Sequence, residues 1–140
     1  MSTLGWLRLA SALALFQALG HTFGSVLPSP VAGSPEASVR ETMAAFRFSV
    51  GGMERSYLDA YLGSGWIISA MLFGSSILIW LLAREADLAP QRVRPLLLTL
   101  AALYGSMTVV GAVYFVLPPT LVAGAVTGCL CVGVARVGRH

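Results

Sequence analysis

His21 is the one residue able to carry a charge near neutral pH inside any long apolar stretch of this chain. It lies late in the stretch Leu9–Leu27. Gln17 stands one turn before it on the same helical face, and Gly20 and Gly24 lie alongside. An ionisable side chain in a membrane span is costly and marks a candidate site. An imidazole there could act as the axial ligand of a haem or chlorophyll metal, the glycines leaving room for a flat ring. It could also hydrogen-bond a quinone carbonyl. The competing reading is structural: His21 and Gln17 bond the backbone of a neighbouring helix, or Tyr61. With no second histidine in a span, the chain has no metal site made from its own side chains alone.

A second group of polar residues follows at Glu54–Trp66. Tyr57, Tyr61 and Ser64 recur at i, i+4 and i+7, and Arg55 and Asp59 are also one turn apart. His21 falls 13 residues after Arg8, about 20 Å along a helix. That depth suggests a pocket in the outer leaflet lined by His21, Gln17, Tyr57, Tyr61 and Arg55. The alternative is an aromatic belt with interfacial ion pairs. No Ser/His/Asp set, HExxH, CxxC or phosphate loop is present, so the sequence leans away from an enzyme. Cys129 and Cys131 point to different sides of a helix and read as packing residues.

The elements that must position these residues are four apolar blocks: Leu9–Leu27, Ala60–Ala83, Leu96–Leu117 and Leu121–Ala135. All nine basic residues, each an arginine, and all six acids lie outside them. A soluble helix rarely stays uncharged for so long, because one face must meet water. The composition is 56% hydrophobic and 11% charged, against about 25% charged in soluble domains. A span needs roughly 20 apolar residues. The second and third blocks exceed that, the first comes close, and the fourth is short, at about 22 Å of helix. Strands of a membrane barrel would alternate in polarity, and these blocks do not.

The expected fold is therefore an all-α, single-domain integral membrane four-helix bundle, with spans near 6–27, 57–83, 95–117 and 120–136 and an outer loop at 28–56. Within that loop, Ser38-Val39-Arg40-Glu41 has the form of a capping box. Val39, Met43 and Phe46 behind it suggest a short extracytoplasmic amphipathic helix over 38–48, broken by Ser49–Gly52. Pro90 and Pro95 are expected to limit the second connector, and Pro118-Pro119 to form the third.

Arg8, Arg84, Arg92, Arg94, Arg136 and Arg139 fall on one side of such a bundle, and Arg40, Arg47 and Arg55 on the other. The positive-inside rule then places both termini in the cytoplasm. Topology thus accounts for the net charge of +3, and nucleic acid is not an expected partner. Arg8 with Leu9–Gly20 also has the form of a signal peptide ending near Ala18-Leu19-Gly20. Close packing is expected at small-xxx-small pairs: Gly124 with Gly128, Ala70 with Gly74, and Ala101 with Gly105.

Gly20-His21-Thr22, Arg55-Ser56-Tyr57 with Tyr61-x-Gly63, and Tyr114-Phe115-x-x-Pro118 together resemble a group of small four-helix bacterial membrane proteins, broadly similar to DoxX-like proteins. The resemblance implies a bacterial inner-membrane location and a four-helix bundle. DoxX-like relatives connect to quinone and sulfur redox chemistry, but no redox motif here carries that across. The expected function is a small accessory or scaffold subunit of a larger membrane complex, or a self-associating one. The alternative is a hydrophobic-ligand binder or membrane enzyme for quinone, isoprenoid lipid, haem or pigment.

Overall fold

The computed structural model describes residues 2–137; Arg139, counted above among the arginines, lies outside them. The chain is mostly helical. Its long helices are α1 (Thr3–His21, extended by a π turn over Thr22–Val26), α3 (Tyr57–Glu85), α4 (Pro90–Tyr114) and α5 (Leu117–Arg136). Between α1 and α3 come the shorter α2 (Pro35–Ala45) and an antiparallel hairpin of β1 (Arg47–Val50) and β2 (Met53–Ser56). All four long elements are long and apolar enough to cross a membrane. At 1.5 Å per residue they measure about 30 to 43 Å.

The helix ends depart from the sequence pattern in three places, each for a local reason. α5 starts at Leu117, so Pro118 and Pro119 sit inside its first turn rather than in the connector. The first turn of a helix has no intrahelical use for its N–H groups, and proline carries none. This lengthens the fourth helix to 20 residues and makes it long enough to span. α4 starts at Pro90 and runs through Pro95. The bond Pro95 removes would have ended on Gln91, which is exposed at the helix end where water can replace it. α2 is capped by Ser34, not Ser38: the Ser34 hydroxyl accepts from Ala37 N–H at 3.2 Å, and Pro35 occupies the first helical position. α2 ends at Ala45, and Phe46–Phe48 are extended.

The chain divides into two compact units. The larger comprises residues 1–18 and 71–140. Its core draws on all four long helices, with Leu7, Ile79, Leu97, Tyr104, Val126 and Leu130 fully buried. α1 and α3 are joined there by a reciprocal pair: Ser11 Oγ donates to Ser76 O at 2.9 Å, and Ser76 Oγ donates to Ser11 O at 3.0 Å. Ser75 and Tyr104 hydroxyls bond at 2.6 Å and tie α3 to α4. The Arg8 guanidinium lies 5.3 Å over the Trp80 ring, a cation–π contact at the ends of α1 and α3.

α4 and α5 are antiparallel neighbours joined through Phe115 and Val116. Glycine on one meets threonine on the other along the seam. A Cβ on Gly105 would stand 3.7 Å from the Thr127 methyl, and one on Gly124 would stand 3.5 Å from the Thr108 methyl. At Gly111 it would stand 2.6 Å from Thr120 Oγ1. On α5, Gly133 is pressed against Leu7 of α1, with no room for a Cβ.

The smaller unit comprises residues 19–70: the end of α1 with its π turn, α2, the hairpin and the first part of α3. Ser56 and Asp59 cap α3 reciprocally. Ser56 N–H and Oγ both donate to Asp59 Oδ2, at 2.8 and 2.9 Å, and Asp59 N–H donates to Ser56 Oγ at 3.1 Å. This is a capping box with aspartate in the third helical position.

The Gly133–Leu7 contact yields a test. Gly133→Val should lower unfolding stability in mixed micelles by about 1–3 kcal/mol through overpacking. Gly128→Ala, where a Cβ meets nothing within 4 Å, should leave it unchanged or slightly raised.

Candidate functional site

His21 is half-buried at the last position of α1. Its Nε2 lies 3.2 Å from the carbonyl oxygen of Gly65 on α3. A carbonyl only accepts, so this bond requires the proton on Nε2 and leaves the lone pair of a neutral imidazole on Nδ1. The Gly65 carbonyl has a second lone pair beyond its place in the α3 ladder, so it can receive the imidazole without breaking the helix. Next to it, Thr22 Oγ1 donates to Ser69 Oγ at 2.9 Å, with both residues buried.

The π turn explains why these neighbours meet one short stretch of α3. In an α-helix, residues five apart are about 140° apart around the axis, at 100° per residue. Here Leu27 N–H bonds Thr22 O across five residues at 3.0 Å. The wider turn swings Val26 back towards the side of His21. Val26 then packs on the same Gly65 that His21 bonds, with its Cγ2 3.0 Å from where a Gly65 Cβ would be. Gly65 is therefore the residue that lets helix end and helix start approach.

The other candidate residues have separate engagements. Gln17 is buried in the larger unit, with Nε2 3.5 Å from Pro119 O and its Oε1 without a partner among the described residues. Tyr57 is taken up by Phe46 and Phe48, at ring-centroid distances of 5.1 and 5.2 Å. Arg55 donates to the backbone oxygen of Glu54 at 2.8 Å, and Asp59 serves as the α3 cap. Tyr61 is half-exposed, with no hydrogen bond or ring contact among the described residues. Gly65, where His21 bonds, is eight residues along α3 from Tyr57, about 12 Å at helical rise. The imidazole therefore stands well below the first tyrosine.

Of the residues expected to mediate helix packing, Gly124 and Gly105 meet threonines across the α4–α5 seam, and Ala101 is buried. Ala70, Gly74 and Gly128 are exposed, and a Cβ on either glycine would meet open space. Cys129 is buried and Cys131 exposed, both as free thiols. Among the described residues no group of three or more His, Cys, Asp or Glu side chains comes together. An open groove at the start of α4, lined by Pro90, Gln91, Arg94, Pro95, Leu98 and Val137, contains none of the candidate site residues.

Sequence reasoning overlooked the serine and threonine partners. Ser11, Ser69, Ser75 and Ser76 stand within apolar blocks, where a hydroxyl can bond either its own helix or a neighbouring one. Comparison with known protein families, with curated proteins and with solved structures found no match for this chain.

A cofactor bound through His21 Nε2 would have to displace the Gly65 carbonyl; Nδ1 is the nitrogen left to accept. The bond itself can be weighed by substitution. His21→Leu should lower stability by about 0.5–1.5 kcal/mol, and His21→Gln, which keeps a donor, should recover part of the loss. A double-mutant cycle of Thr22→Val and Ser69→Ala should give a coupling of about 0.6 kcal/mol. Both are read by unfolding in micelles.

Proposed function

We propose that this protein is a small accessory or scaffold subunit of a larger membrane complex, built as a four-helix bundle that associates with other membrane subunits or with itself. The observation that carries this reading is how its polar and small residues are divided. The buried hydroxyls of Ser11, Ser69 and Ser76, with those of Thr22, Ser75 and Tyr104, hold helix to helix within the chain, at Ser11–Ser76, Ser75–Tyr104 and Thr22–Ser69. Ala70 is exposed, and Gly74 and Gly128 are exposed with no neighbour among the described residues where a Cβ would be. In lipid, helix association is driven by close approach at small residues, so such faces suit a neighbouring helix.

The arginine distribution supports cytoplasmic termini, and the DoxX-like resemblance supports a bacterial inner membrane and the bundle topology. α2 fits an extracytoplasmic surface helix in that orientation.

A second reading rests on a different observation. Gly20 and Gly24 have open space where a Cβ would be, beside a half-buried imidazole with Nδ1 able to accept. That arrangement suits a hydrophobic ligand with a hydrogen-bond donor or a metal.

Purification from native membranes in mild detergent separates the two. The subunit reading expects migration above the 14.7 kDa monomer. It also expects Gly74→Leu or Gly128→Leu to return the protein towards monomer with stability unchanged. Free monomer in both wild type and variants would overturn it. The ligand reading expects a bound chromophore or enriched lipid that His21→Ala loses.

A further inference from the structure

In the segment Phe46-Arg-Phe-Ser-Val-Gly-Gly-Met-Glu-Arg-Ser-Tyr57, apolar and polar residues alternate up to a Gly-Gly pair, and after it Met53 and Tyr57 keep the same period with Arg55 between them. Gly51 and Gly52 have φ of +58° and +79°, as a tight type I′ hairpin turn requires at both positions. The register pairs Arg47 with Ser56, Phe48 with Arg55, Ser49 with Glu54 and Val50 with Met53. A bond from Tyr57 N–H to Phe46 O at 3.1 Å adds one more pair and carries the ladder into the first residue of α3.

Successive side chains on a strand point to opposite faces. One face of the hairpin therefore carries Phe46, Phe48, Val50, Met53 and Tyr57, with Arg55 among them. The other carries Arg47, Ser49, Glu54 and Ser56, where Arg47 and Glu54 form an exposed ion pair at 3.7 Å. The apolar face is open: Phe46, Val50 and Met53 are 60%, 65% and 60% exposed.

The hairpin's position follows from α3. Its 29 residues make about 43 Å of helix, close to the ~40–45 Å of a bilayer with its headgroups, so Tyr57 falls in a headgroup layer. No linker separates hairpin from helix, because Ser56 is both the last strand residue and the α3 cap. Met53 is four residues from Tyr57, at most about 13 Å of strand. A short two-faced element fixed at that depth has the composition of an interfacial membrane segment: apolar on one side, charged on the other, with arginine at the rim.

We propose that the hairpin lies along the bilayer surface. Phe46, Phe48, Val50 and Met53 enter the boundary of headgroups and acyl chains. Arg55 extends to lipid phosphate, and the Arg47–Glu54 pair faces water. The occupant of the apolar face is lipid, and the hairpin fixes the depth and rotation of α3.

Nitroxide labels test this in the full chain with Cys129→Ala and Cys131→Ala, reconstituted in nanodiscs of phosphatidylcholine and phosphatidylglycerol. Labels are placed singly at Val50→Cys, Met53→Cys and, on the opposite face, Ser49→Cys. The oxygen-to-nickel-chelate collision ratio should be several-fold higher at positions 50 and 53 than at 49. Equal, nickel-accessible values at all three would put the hairpin in water and overturn the proposal. Shielding of 50 and 53 from both reagents would also overturn it, by showing a protein surface over that face. The two apolar-face positions are independent, so a variant that fails to fold leaves the other to decide.

Discussion

Hydrocarbon offers a polar group no partner, and that constraint orders most of what the helices of this chain do. Each backbone donor within a span must be satisfied by protein, and a side-chain donor there gains by finding a partner. Serines and threonines answer it in two ways. Some bond back to their own helix, as Thr99 does to Pro95 O and Ser106 to Ala102 O. Others bond across, as Ser11 and Ser76 do in the larger unit and Thr22 and Ser69 do in the smaller. A crossing bond is worth only about 0.6 kcal/mol. Its larger effect is on register: it holds α1 and α3 where both partners can reach, and a slip of one residue would strand two hydroxyls. Helix starts obey the same rule. Pro118 and Pro119 bring the α5 first turn with two fewer N–H groups to satisfy.

Close approach is the second consequence. Apolar burial drives helix pairing weakly when the solvent is itself apolar, so contact distance matters more than contact chemistry. The α4–α5 seam places glycine against threonine alternately on the two helices, which lets both backbones come near while each threonine keeps its hydroxyl on its own helix. The end of α1 reaches the same result by bending the ladder. Its π turn presents His21 and Val26 to one glycine of α3, and no regular α-helix would put residues five apart on one neighbour.

The four long helices, each apolar enough to cross a membrane, were legible because lack of charge over 15 to 24 residues is a coarse signal that survives uncertainty at the ends. What failed was finer. The alternation around Gly51-Gly52 is a strong hairpin signal, but Phe46 also stands at helical spacing from Val39 and Met43. The helix expected over 38–48 overlaps α2 from Ser38 to Ala45, then runs three residues too far and takes in the first two residues of β1. Two capping boxes were in the sequence. Ser38–Glu41 matched the pattern without serving as a cap, whereas Ser56–Asp59 served as one and had been read only as half of an Arg55–Asp59 pair. The site was legible only as far as His21 itself. Its partner is a backbone carbonyl, which every residue owns and no sequence pattern marks. Tyr57 was placed beside it by depth reckoned along one helix, where an error of two turns is enough to separate the two.

An apolar surface discriminates little on a membrane protein, since lipid can cover exposed large side chains such as Phe16, Ile67 and Val109 as well as a protein can. Glycine is the more discriminating residue. In a helix interior it costs about 1 kcal/mol relative to alanine. Gly105, Gly111, Gly124 and Gly133 offset that cost within the chain, because each admits a threonine or leucine of a neighbouring helix. Gly74 and Gly128 bear the same cost, and no side chain among the described residues fills the space they leave. Lipid tails gain little from a missing Cβ, because they are mobile and fit a methyl group as easily as a gap. A second helix gains a great deal, because its backbone can settle into the space and hold it. On the proposed subunit reading, Gly74 and Gly128 are therefore where a neighbouring helix would settle.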